Sequence, residues 1–363
     1  VGEDVYYRLG ERLNENQVKL PLVDPFLEIL REYYTEEQAA VGADFPLGSH
    51  KLGSLAESMA RDEKALLGVL ESMADEGLVF TLRDEDGELQ YSLTPFFPGA
   101  WEFQLMRGTD SPRDRKLAKM THEFLGGLQD MIAETMKTPE LFKELMPDAV
   151  ARTVTIEEEL PSETEIFPFE RLTELVERFD SFSAAICYCR HHAHLLGNPC
   201  EVDGVPEHSC LAFGPTADYV VQRKFGKKIT KEECLDILKA SAKAGLVHNT
   251  NNYLGDIVFV CNCCGCCCGM LDLLKRVKAT TTLTYSNFQV SIARESCSGC
   301  GDCVEQCPMD ALSLVEEIAS VDPVLCLGCG NCVTTCPTES LSMVRRAKEI
   351  PPEDNREFPG MGV

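Results

Sequence analysis

Residues 297–308 read CSGCGDCVEQCP and residues 326–337 read CLGCGNCVTTCP, one pattern, C-x2-C-x2-C-x3-C-P, written twice. No other feature of the chain leaves so few folds open. Three cysteines at this spacing can wrap a loop around one face of a metal–sulfur cube, with the loop's backbone amides turned to the sulfides. Gly299, Gly301, Gly328 and Gly330 permit so tight a loop. Pro308 and Pro337 turn the chain after the last cysteine of each repeat, having a fixed φ and no amide donor. The flanks FQVSIA, ALSLV and SLSMV suit strands beside the loops. Zinc also accepts C-x2-C pairs, but a doubled four-cysteine repeat carrying both prolines argues against it.

The segment resembles a bacterial-type two-[4Fe–4S] ferredoxin domain, and no residue of the motif departs from that pattern. The resemblance implies that the fourth ligand of each cluster comes from the other repeat. One cluster would then take Cys297, Cys300, Cys303 and Cys336, and the other Cys326, Cys329, Cys332 and Cys307. It implies one-electron transfer between two neighbouring clusters and names no substrate.

The chain has 19 cysteines, none before Cys187. The N-terminal VGEDVYYRLG lacks the basic and apolar regions of a secretory signal, so the chain reads as cytoplasmic. Thiols stay reduced in that compartment, which disfavours a disulfide scaffold. Ten of the cysteines form two groups ahead of the repeats. Cys187, Cys189, Cys200 and Cys210 are spread over CYCRHHAHLLGNPC and EVDGVPEHSC, with Arg190 beside the second. Cys261, Cys263, Cys264, Cys266, Cys267 and Cys268 crowd into CNCCGCCCG.

Adjacent side chains of a loop diverge, so these six cannot all face one small cubane. The C-x2-C pairs 261/264, 263/266 and 264/267 can clasp a cluster edge, with Gly265 and Gly269 letting the backbone wind closely. The expectation is one or two additional iron–sulfur clusters in this module. The first four cysteines are the simplest set for one, and the 261–268 run, sharing ligands with it, would hold another. Zinc needs four thiolates and no such crowding. The pattern CxCR…C…C…NCCxCCC resembles a group of iron–sulfur proteins from anaerobes that also end in ferredoxin repeats, a resemblance that implies no reaction.

Around these cysteines, 169–186 has helical spacing at Leu172, Leu175, Val176 and Phe179. TKEECLDILKASAKAG has a capping box, Thr230 with Glu233, and Gly245 fits its C-terminal cap. Cys234 inside that helix reads as a buried apolar residue. DIVFV reads as a buried strand entering the cysteine run. His191, His192, His194 and His208 read as surface or hydrogen-bonding groups more than ligands. The basic run Arg223 to Lys231 reads as a solvated face.

In the front of the chain, Asp24-Pro25 opens a helix in residues 24–40. LGSLAESMARDEKALLGVLESMADEGLVFTLRDEDGELQYSLTP then reads helix, turn, helix and hairpin with a DEDG tip, an order that resembles a winged helix. Its second helix carries Asp62, Glu63, Glu71, Asp75 and Glu76 against Arg61 and Lys64, a poor match to DNA phosphates. Protein docking, or a homo-oligomer through the N-terminal half, fits better. Phe96, Phe97, Trp101 and Phe103 read as an aromatic plug between this unit and the next. Ser111 and Pro112 open a helix, and TIEEELPSETE (155–165) marks a boundary.

The fold class expected is α+β and multidomain. A winged-helix-like domain would span 1–110, a helical linker 111–160, and a cysteine-rich α/β module 161–285. A two-[4Fe–4S] ferredoxin-like domain would follow over 286–347, with a tail at 348–363. The formal net charge of −25 disfavours nucleic acid and anionic membranes and favours a basic patch on a redox partner protein or oxidoreductase complex. No apolar stretch is long enough to span a membrane. Dinucleotide, phosphate-loop and nucleophile-elbow motifs are all missing. The leading function is therefore an electron-transfer protein or subunit of anaerobic metabolism. An oxidoreductase with a substrate-reducing cluster in the middle module, or a redox-sensing regulator using the front domain, stand behind it.

Overall fold

The structure is a computed structural model, and it describes residues 4–16, 18–84, 86–135, 151–255, 257–278 and 284–351. It is a mixed α+β fold. In the front third, α1 (Val5–Leu13), α2 (Asp24–Tyr33) and α3 (Glu36–Ala43) bury Leu9, Phe26, Ile29 and Leu30 completely. The stretch 24–40 holds two helices because Thr35 starts a new one. Its Oγ accepts the Gln38 amide at 3.2 Å, and the Gln38 side chain accepts the Thr35 amide at 2.9 Å.

β1 (His50–Lys51), which the sequence reading did not include, comes first, and α4 (Leu52–Ser58), α5 (Glu63–Asp75), β2 (Val79–Arg83) and β3 (Leu89–Leu93) follow in the expected order. The three strands form an antiparallel sheet in the order β1-β3-β2. Asp62 caps α5 by accepting the Ala65 amide at 2.9 Å.

α6 (Trp101–Met106) and α7 (Pro112–Thr135) lead out of this unit. Residues 136–150 of the expected linker lie outside the described residues, as do 352–363 of the expected tail. The linker expectation needs one correction. Ala151–Val154, inside the 111–160 span, is strand β4, because Ala151 to Val154 pair with Asn251 to His248.

β4 belongs to a seven-stranded sheet in the order β10-β4-β8-β9-β6-β5-β7. The other members are β5 (Phe182–Ile186), β6 (His208–Phe213), β7 (Lys227–Ile229), β8 (Val247–Asn251), β9 (Phe259–Cys263) and β10 (Thr284–Tyr285). β10 lies parallel to β4 and every other pairing is antiparallel. The helical spacing read over 169–186 holds only for Leu172–Val176. Phe182 to Ile186 are instead a nearly fully buried strand, paired on both sides. The capping box of helix Lys231–Lys243 forms as expected, and Cys234 within it is fully buried.

In the last part, β11 (Phe288–Ile292) pairs with β14 (Leu341–Arg345), and β12 (Leu312–Val315) forms a hairpin with β13 (Ile318–Val321). Short helices Asp302–Glu305 and Asn331–Thr334 each carry one cysteine, Cys303 and Cys332.

Three connections fix these units to one another. Trp101 packs edge-on against Tyr188 (5.3 Å) and His192 (5.5 Å), so the aromatic plug ends on the first cysteine helix. Arg223, read in the sequence as part of a solvated run, is buried and binds Glu71 and Asp75 of α5 at 2.9 Å each. The acidic boundary 155–165 is a strut. The Ile156 amide donates to the Cys329 carbonyl at 2.9 Å, and Thr155 Oγ donates to the Gly328 carbonyl at 2.7 Å.

Candidate metal centres

The two C-terminal repeats fold alike. Gly301 (φ +89°) and Gly330 (φ +94°) take left-handed backbone just ahead of the short helices, a conformation their missing Cβ makes cheap. Each helix then turns its second residue, Cys303 or Cys332, inward. Backbone amides point at the sulfurs. Ala319 N–H donates to Cys297 Sγ at 3.4 Å, Ala311 N–H to Cys307 Sγ at 3.3 Å, and Ser340 N–H to Cys336 Sγ at 3.3 Å. Burial pushes the Cys303 thiol up, and the neighbouring Cys300, Cys297 and Cys336 push it further. Burial likewise pushes Cys329 up to about 12, with Cys307 and Cys326 adding to it. Cys336 is thus a neighbour of Cys303, and Cys307 of Cys329.

Cys307, Cys326, Cys329 and Cys332 line a small cavity with Met309 and Leu312. Four soft donors around an apolar hollow, with amides on their sulfurs, suit a [4Fe–4S] cluster. Cys300 of the other set is exposed.

The middle cysteines sort differently from the simplest expectation. β9 alternates, so Cys261 and Cys263 point one way and Asn262 the other. They meet Cys187 and Cys189, at the start of helix Tyr188–Leu195, and Cys210 of β6. The chain then turns, and Cys268 caps helix Gly269–Val277 beside them. Thiol neighbours run in a series: Cys210 with Cys261, Cys261 with Cys263, Cys263 with Cys268, Cys268 with Cys189, and Cys189 with Cys187. These six, with Cys264, line a second small cavity. Cys268 is held well below the usual thiol range by Cys189 and Cys263, and the amides of Leu271 and Met270 also favour its thiolate.

Cys200 does not join Cys187, Cys189 and Cys210. Its loop carries it to the turn after β9, where Cys200, Cys264, Cys266 and Cys267 place their sulfurs all within 4.8 Å of one another. Four thiols this close together could hold a metal ion between them.

Residues without a sulfur complete the surroundings. Arg190 donates to the Asn262 carbonyl at 3.0 Å and to Ser209 Oγ. Burial works against its charge, but Cys187 and Cys264 outweigh that and raise its pKa. The Asn262 side chain donates to the Ser209 carbonyl at 2.7 Å, which leaves its oxygen to accept from His248 Nδ1 at 2.7 Å. Burial then lowers His248 to about 4, so the ring is neutral. Asn262 and His248 were missed in the sequence; the alternation of β9 was the signal that could have found Asn262. The four histidines singled out beforehand do not enter either cysteine group. His191 bonds the Thr109 carbonyl and His192 the Ala118 carbonyl, at 2.8 and 2.9 Å, while His194 is exposed and His208 lies beside Glu207.

Fold and cysteine geometry together define an iron–sulfur protein. The model of the 4Fe-4S dicluster domain matches residues 296–340, and such a domain implies cluster binding and a role in electron transfer. No curated protein and no solved structure matches the chain. Among the described residues, no helix is long and apolar enough to cross a membrane.

Proposed function

We propose that the protein relays single electrons between its middle module and a partner oxidoreductase, passing them through the dicluster domain. Cys297, Cys300, Cys303 and Cys336 would hold one cluster, and Cys307, Cys326, Cys329 and Cys332 the other. A further cluster would sit in the six-cysteine cage of the middle module. When bound, such clusters accept and release one electron at a time.

The observation that carries the reading is a contact. Gly265, inside the cysteine run, lies so close to Pro308 that a Cβ there would fall 2.5 Å from the Pro308 carbonyl oxygen. Pro308 follows Cys307, so the cage turn touches the wall of the buried cluster cavity. Lys275 bridges the same seam, donating to the Gly265 carbonyl at 3.4 Å and to Asp310 at 3.3 Å.

At the far end, Cys300 is exposed, and Leu314 and Val315 expose an apolar pair on nearby β12. Glu316, Glu317, Asp302 and Glu305 are exposed in the same region. An apolar pair edged with carboxylates suits a partner carrying a basic rim. Burial of Cys189, Cys210, Cys263 and Cys268 weighs against a substrate-reducing cage. Engagement of Glu71 and Asp75 by Arg223 favours a protein-docking role for α5 over a DNA-reading one.

The test is anaerobic stopped-flow reduction of the holoprotein, followed at the cluster absorption, with Leu314→Glu and Val315→Glu as surface variants. Transfer to a basic acceptor protein should slow in the variants and at high salt, while reduction by a small chemical donor stays unchanged. Equal transfer rates for wild type and variants would refute the proposed exit face.

A further inference from the structure

The middle module places its sulfurs in two ways, and the difference carries information. The six-cysteine cage and the buried dicluster set each line a small cavity. Cys200, Cys264, Cys266 and Cys267 instead converge on one point, and Cys264 also lines the cage cavity. Their separations are 3.7 Å for Cys200 to Cys264, 3.6 Å for Cys200 to Cys266, and 3.6 Å for Cys266 to Cys267.

A single tetrahedral metal with metal–sulfur bonds of about 2.3 Å has sulfur–sulfur edges of about 3.8 Å. A cubane puts a separate iron behind each thiolate, at four corners, and so spreads its ligands further. Among the described residues, no three dicluster cysteines come as close together as the 4.8 Å that encloses this group. A disulfide is excluded by the distances, since its sulfurs stand about 2.05 Å apart.

We propose that Cys200, Cys264, Cys266 and Cys267 bind one metal ion, as a closed tetrathiolate site separate from the clusters. Thiolates in a tetrahedron select zinc or a single iron. The inference does not rest on the electron-transfer reading.

The site's placement gives it a task. Between helix Tyr188–Leu195 and β6 the chain is a mostly exposed loop with left-handed turns at Gly197 and Gly204. Cys200 ties that loop to the turn at 264–267. Arg190, against Cys264, places a positive charge beside the four thiolates. The metal would staple a segment that buries too little apolar surface to hold itself down.

The experiment uses anaerobically purified full-length protein and its Cys266→Ser variant, Cys266 being exposed. Both are analysed for zinc, iron and sulfide. The proposal expects the variant to lose one metal atom per chain and no sulfide. Loss of one zinc identifies zinc. Loss of one iron, with an isolated tetrathiolate iron in the wild-type Mössbauer spectrum, identifies iron. Limited proteolysis at residues 197–207 should rise several-fold in the variant while its cluster spectrum persists. X-ray absorption of the wild-type protein provides a second measurement, free of any folding defect. For zinc it should give four sulfurs at about 2.3 Å and no metal neighbour. Loss of about four irons with matching sulfide would overturn the proposal, as would a wild-type protein with no metal beyond its clusters.

Discussion

Glu102 sits in the aromatic plug with Oε2 accepting the Gly99 amide at 2.6 Å and Oε1 buried without a partner among the described residues. Burial raises its pKa to about 7, against the opposing pull of that amide. The folded chain therefore holds a proton that the unfolded chain releases near its ordinary value of 4.5. The stability this confers is fully present below the unfolded value and lost as pH rises through about 7, about 3 kcal/mol in all. Glu102→Gln should therefore gain on the wild type progressively between pH 5 and 8, read as anaerobic denaturation midpoints. Parallel pH profiles would contradict it.

The crossed ligand sets are also a matter of single residues. Cys307→Ala should spoil the cluster held by Cys326, Cys329 and Cys332, and Cys336→Ala the one held by Cys297, Cys300 and Cys303. Electron paramagnetic resonance of the two variants should show complementary losses. Damage confined to the mutated repeat's own first three cysteines would reverse the assignment.

At the scale of elements, legibility in the sequence followed locality. The dicluster loops were readable because their spacing, glycines and prolines are all local. The capping box of Thr230 and the burial of Cys234 were readable for the same reason. The partition of the middle cysteines was not, because it depends on long-range pairing. Cys261 reaches Cys210 through the β9–β6 pairing, and Cys200 reaches Cys266 across a loop. Arg223 looked solvated because nothing nearby in sequence announces that Glu71 and Asp75 would meet it. Gly265 shows what such contacts demand. Gly265→Ala should clash with the Pro308 backbone, cost about 1–3 kcal/mol, and slow electron passage between module and dicluster domain. An unchanged melting temperature and transfer rate would mean the seam is loose.

At the scale of the whole molecule, one buried ion pair pins the dicluster domain to the middle module. Arg345 donates to both Glu170 oxygens, at 2.8 and 2.7 Å, and Asn287 donates to one of them at 2.6 Å. Both charged side chains are less than a tenth exposed. Arg345→Met strands a buried carboxylate, which should cost about 3–5 kcal/mol. Thermal unfolding should then show the dicluster domain loosening first, with cluster bleaching ahead of the main transition. A single transition at the wild-type temperature would show that the pair contributes nothing to docking.

The middle module is proposed to add a cluster to the electron path instead of merely supporting the dicluster domain. Anaerobic iron and sulfide analysis of the wild type beside a Cys189→Ala, Cys263→Ala double variant tests it most directly. The dicluster domain alone accounts for about eight irons per chain. A cluster in the cage should give at least about four irons above that number in the wild type, with matching sulfide, and their loss in the variant while the dicluster spectrum survives. About eight irons in both proteins would contradict it.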